Sequence, residues 1–145
     1  QNQSVNTLTQ QIHKNLLAII SLVVAMTALG YNTYRNEQTE DNRNIRFAGF
    51  TMLQELSKLQ LIIDYAHYDM DTAKGNPISG WGRILYVKDM SYLVSSKVAA
   101  ETGLLIETWS REWQTVHSDE TSIQRVTAGI DALRELVRHT MVSLD

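Results

Sequence analysis

Apolar residues are distributed along this chain in two distinct ways. From Leu16 to Tyr31 the run LLAIISLVVAMTALGY is apolar on every side and carries neither charge nor proline. Further along, apolar positions recur on one helical face only. Ile45, Gly49, Met52, Leu56, Leu59, Ile63 and Ala66 follow one another at alternating steps of four and three. That repeat predicts an amphipathic helix whose seam faces other helices, with Gly49 letting a partner backbone come close. Val98, Thr102, Leu105, Trp109, Trp113 and Val116 form a second stripe, and Ile123, Val126, Ile130, Leu133, Val137, Thr140 and Leu144 a third. Sustained period-two alternation, the mark of a half-buried strand, is absent.

The breaks between these stripes are readable from turn residues. Pro77 is the only proline, and Gly75, Asn76, Ser79 and Gly80 cluster around it, which predicts a loop. After it, Trp81, Ile84, Leu85, Val87, Met90, Tyr92 and Leu93 are apolar enough for a helix of about 14 residues. Ser95-Ser96 then offers a cap. His117-Ser118-Asp119 reads as a short connection with Ser118 as the N-cap, and Asp119 and Glu120 suit the positive end of the next helix dipole. Between the apolar run and the first stripe, residues 32–44 are polar on all sides. Thr39, Asp41 or Asn42 is able to cap a fresh helix there, but a single continuing helix is the expected path.

The predicted fold class is therefore all-α: a single N-terminal transmembrane helix continuing into a small antiparallel helical bundle of about four helices. The expected division is a short polar tail (1–15), a transmembrane helix (16–34) and a soluble helical-bundle domain (35–145). At about 1.5 Å per residue the apolar run spans roughly 24 Å, short of a hydrocarbon layer of roughly 30 Å. Lys14, Tyr31 and Tyr34 are the membrane-interface candidates that complete it, the lysine by snorkelling and the tyrosines by seating a polar tip among headgroups. A cleaved signal peptide, with small residues at Ala28 and Gly30, and a buried core helix are the competing readings of the same run. Counting Lys14 on one side against Arg35, Arg43 and Arg46 on the other places the C-terminal domain in the cytoplasm.

Charge sharpens the division. All 16 acidic residues follow Tyr31, and of the 13 basic ones only Lys14 precedes it. The acidic balance beyond the run gives no footprint for nucleic acid, which needs clustered lysine and arginine. With no cysteine in the chain, disulfides, thiolate metal sites and cysteine nucleophiles are excluded.

Candidate chemistry is sparse. His67 with Asp64 and Asp71 is the most site-like group, three potential ligands on one helical face. A di-metal bundle needs Glu-x-x-His pairs, which this chain lacks, so the expectation is a polar helix end with His67 bonding a loop carbonyl. Trp109 and Trp113 share one face, either as core or as aromatic anchors, and Trp81 follows the loop at a bundle tip. Trp81, Trp109, Trp113 and His67 are the candidate partner contacts. No triad signature and no phosphate loop is present. No cofactor, metal or catalytic residue is assigned, and an enzyme is not expected.

The function expected on these grounds is a non-enzymatic, single-pass membrane-anchored accessory or scaffolding subunit, whose bundle docks on a larger membrane protein complex. A ligand-sensing or signal-relaying bundle with a pocket near His67, Tyr65 and Trp109, or a self-assembling membrane-anchored homo-oligomer, is the alternative. The expected partners are the lipid bilayer and the subunits of such a complex.

Overall fold

The computed structural model describes residues 2–144, with side chains from Thr7 onward. Four α-helices and no strand occur among the described residues: α1 (Asn2–His67), α2 (Pro77–Val94), α3 (Ser96–Glu112) and α4 (Glu120–Val142). The chain divides into two compact units, Gln1–Asp41 and Asn42–Asp145. The helical assignment of α1 passes through residues 32–44 without a break, as the continuous reading expects.

In the first unit every side chain from Thr7 to Asp41 is exposed, including all those of the apolar run. This segment is long and apolar enough to cross a membrane. Its few hydroxyls are satisfied within the helix: Ser21 donates to the Leu17 carbonyl at 2.8 Å and Thr27 to the Val23 carbonyl at 2.8 Å. Such back-bonding leaves little polar surface unpaired along the run. Tyr34 accepts a hydrogen bond from the Gln38 amide at 2.8 Å.

The second unit is a four-helix bundle whose core is built from the predicted stripes. Met52, Leu56, Leu59 and Ile63 of α1, Val98, Leu105 and Trp109 of α3, and Ile123, Val126, Ile130, Leu133 and Val137 of α4 are all buried. The seam glycine of α1 works differently from expectation. A Cβ on Gly49 would stand 2.5 Å from Met141 Sδ, so what fills the space is a flexible side chain of α4 and not a backbone.

Two local expectations are corrected. The α2 helix starts at Pro77, not Trp81, because Asn76 caps it by accepting from the Ile78 amide and Pro77 supplies the preset φ of a first helical position. On that helix Leu85, Tyr92 and Leu93 are exposed, while Ser91 and Val94 are buried in their place. The α4 helix is capped by Asp119, which accepts from the Thr121 amide at 2.9 Å; Ser118 lies in the preceding turn. Ser95 serves as the C-cap of α2 and the N-cap of α3 at once, in an extended conformation, accepting from the Val98 amide at 3.1 Å.

Polar pairs tie the helices laterally. Glu55 is 4% exposed and accepts from Lys58 at 2.9 Å and from Arg83 of α2 at 3.0 Å. Burial works to raise its carboxyl, but the bonds and charges of Lys58 and Arg83 outweigh that and hold it below its ordinary value. Glu112 accepts from Ser122 at 2.7 Å and Arg125 at 2.9 Å, which depress its carboxyl in that order and pin α3 to α4. Arg134 of α4 reaches Ser57 of α1 at 2.6 Å.

Candidate functional site: a cleft at the His67 end of the bundle and an apolar face on α2

The end of the bundle where α1 stops and α4 starts is made by two connections, residues 68–76 and 113–119. Helix α1 ends at His67, and Met70 then takes a left-handed conformation with φ 51°, a strained choice for a side chain of that size. The turn that follows is organised by Asp71. Its Oδ1 accepts from the Ala73 amide at 3.0 Å and the Lys74 amide at 2.9 Å, and the Lys74 bond leads the causes that lower this carboxyl. Gly75 then lies flat on the end of α1: a Cβ there would stand 2.5 Å from the Ala66 nitrogen, so only glycine permits the approach.

His67 bridges from this loop to the opposite connection. Its Nδ1 lies 2.8 Å from the Val116 carbonyl oxygen and its Nε2 lies 2.9 Å from Glu120 Oε2. Both partners are acceptors, and only a ring carrying both protons donates to both at once. The loop-carbonyl partner expected for His67 is therefore observed. The helical face that would have gathered Asp64, His67 and Asp71 is not: α1 has ended before Asp71, which is committed to its own turn. Among the described residues no group of three or more histidine, cysteine, aspartate or glutamate side chains is placed to hold a metal ion.

Between the two connections lies a cleft of about 740 Å³. Ala66, Met70, Pro77, Trp113 and Val116 supply apolar wall, while His67, Asp71, Glu120 and His117 supply polar edge. A volume of this size with a few polar groups on an apolar wall is typical of small-molecule sites. The tryptophans sit beside it unequally. Trp109 is fully buried, a core side chain. Trp81 and Trp113 are half-buried, and Trp81 packs edge-to-face against both others with ring centroids 6.2 Å apart. Of the three, Trp113 alone lines the cleft.

A second feature is the outer surface of α2. Ile78, Leu85 and Tyr92 recur every seventh residue and remain 74%, 48% and 67% exposed. Tyr86 and Leu93 form an exposed row beside them. Together these five side chains make an exposed apolar strip along α2. Sequence reasoning missed it, since a helix apolar on two faces has no single periodic stripe to reveal which side is buried. It also missed the pairing of His67 with Glu120, 53 positions apart, for which no local signal exists. Comparison with family models, with curated proteins and with solved structures finds nothing that this chain matches.

Proposed function

We propose that this chain is a membrane-anchored, non-enzymatic docking subunit: the Leu16–Tyr31 run crosses a bilayer, and the bundle binds a larger membrane complex through the outer face of α2. The observation that carries the reading is the pair of apolar rows on that helix, Ile78–Leu85–Tyr92 and Tyr86–Leu93, left in water by the chain's own packing. Full exposure of the apolar run, with Ser21 and Thr27 bonded inside their own helix, supports a lipid setting for the anchor. Lys14, Tyr31 and Tyr34 are exposed at its ends, as interfacial residues must be. The excess of arginine after the run favours a cytoplasmic bundle. A non-catalytic role is supported by how the titratable groups are used: Glu55, Glu112 and Asp119 each serve a helix contact or cap.

The test is affinity purification of the full chain from its native membranes in mild detergent, beside Leu85→Glu/Tyr92→Glu. The expected result is a partner at fixed stoichiometry with the parent chain and its loss with the variant, whose melting curve stays within about 0.5 kcal/mol of the parent because both sites are exposed. A parent chain that emerges alone, a particle made only of copies of this chain, or a variant that retains its partner each refutes the reading.

A further inference from the structure

The cleft beside His67 is separate from the α2 face and has a chemistry of its own. We propose that it binds a small organic cation: an ammonium group attached to an apolar, preferably aromatic, body. Three observations converge on that class.

The first is the shape and lining of the space. About 740 Å³ accommodates a molecule of a dozen or more heavy atoms, and its wall is set by Trp113, Met70, Pro77 and Val116. Trp113 is held by its edge-to-face contact with Trp81 at 6.2 Å, so its ring is a fixed surface for stacking. Met70 at the lip is 76% exposed, and an unbranched thioether adapts to whatever lies beneath it.

The second is the sign of the charge. Asp71 and Glu120 both line the cleft, and among the described residues that line it there is no lysine or arginine. Lys74, the nearest basic residue in sequence to Asp71, does not line the cleft: its Nζ stands over the Tyr65 ring, 5.0 Å from the centroid, although its charge still helps to lower the Asp71 carboxyl. An anionic ligand therefore meets two carboxylates on a wall whose basic groups are two histidines, and one of these, His67, already has both ring nitrogens engaged by Val116 and Glu120.

The third is that both carboxylates are preorganised with capacity to spare. Asp71 is pinned through Oδ1 by two backbone amides, which leaves Oδ2 without a hydrogen bond among the described residues. Glu120 is held by His67 at one oxygen and by Gln124 at the other, at 3.1 Å, and its side chain is still 61% exposed. Each carboxylate oxygen has two lone pairs, so neither residue must surrender a contact to accept an ammonium donor. Trp113 lines the same cleft, so its ring offers a bound cation a cation–π attraction besides the charge contact.

The probe set is phenethylammonium, phenylacetate and 2-phenylethanol, which share a ring and differ in charge. Each is titrated calorimetrically into the full chain in lipid nanodiscs, with empty nanodiscs subtracted. Saturable one-to-one binding of the cation, with the acid and the alcohol at least roughly tenfold weaker, is the expected result. Glu120→Gln still accepts from His67 and should weaken the cation by roughly fivefold, the size of one partly exposed charge contact, with little effect on the alcohol. Thr72→Trp, at an exposed position on the cleft, should abolish binding by filling the space while leaving the melting temperature unchanged. Equal binding of all three probes, absence of saturation, or cation binding undiminished in Thr72→Trp overturns the proposal. None of these outcomes bears on docking through α2, which is read by co-purification.

Discussion

Two glycines of α2, two positions apart, face opposite environments, and replacing each with alanine should move stability in opposite directions. In a helix interior the exchange of glycine for alanine is worth about 1 kcal/mol in backbone entropy alone. At Gly82 nothing lies within 4 Å of the added Cβ, so that gain should appear almost undiminished, about 0.5–1 kcal/mol. At Gly80 the same Cβ would stand 2.6 Å from Trp109 Cζ2 and 2.7 Å from Cη2. The Trp109 ring is rigid, 0% exposed and backed by Trp81, so it cannot swing away as a surface side chain would. Overpacking of this kind costs about 1–3 kcal/mol, and the fixed ring argues for the upper part of that range. The net effect at Gly80 is a loss of about 1–2 kcal/mol. The two single variants should thus differ by about 1.5–3 kcal/mol, or roughly 6 °C or more in a domain of this size. Thermal melts followed by the near-ultraviolet dichroism of the tryptophan cluster measure the gap directly. Gly49→Ala is the intermediate case, since the atoms it meets belong to the flexible end of Met141, and it should be close to neutral. A Gly80→Ala chain as stable as Gly82→Ala would refute the placement of Trp109 against α2.

Two other predictions concern charge and capping. The carboxyls of Glu55, Glu112, Asp71 and Asp119 are all held below their ordinary values in the folded chain. A lowered folded-state value adds stability above the ordinary carboxylate range and loses it as pH falls through the lowered values, so urea midpoints should drop steeply below about pH 4. In the Glu55→Gln/Glu112→Gln chain the drop should be visibly shallower, and an unchanged slope would count against these bonds. Asp119→Ala should cost about 1 kcal/mol by removing the α4 cap, whereas Ser118→Ala should be nearly silent; denaturant unfolding of the pair distinguishes the two assignments.

How much of this was readable from residues alone depends on the helix. The stripes of α1, α3 and α4 alternate one apolar face with polar ones, so period alone identified the side chains that became the core. Helix α2 defeated the same reasoning, because Leu85, Tyr92 and Leu93 are as apolar as Ile84 and Val87; which of them is buried is decided by where α1 and α3 lie. The α4 cap was displaced by one position because Ser118 and Asp119 are both competent, and the choice falls to the one whose successors, Ser122 and Ile123, face the core. Although Pro77, Ser79 and Gly80, expected in the loop, belong to the first turn of α2, a break before that helix and the carbonyl partner of His67 were accessible from turn chemistry and polarity. The cleft was not, since it is formed by residues from both sides of a 53-position separation.

The joint at Ser95 has a consequence for how this fold tolerates change in length. One residue both ends α2 and begins α3, and its side chain and backbone are engaged in those two caps. Insertion of a single residue there would shift the register of α3 by one position, about 100°, carrying Trp109 out of the core and Leu104 and Thr108 towards it. At the other end, the loop from Asp69 to Lys74 lies between helices, so a change in its length acts on its own turn and not on a shared cap. Length variation should therefore be purged at the α2–α3 corner, a fixed hinge pin of the architecture, whereas in the Asp69–Lys74 loop it leaves the helices in phase and is limited by the Asp71 turn that lines the cleft.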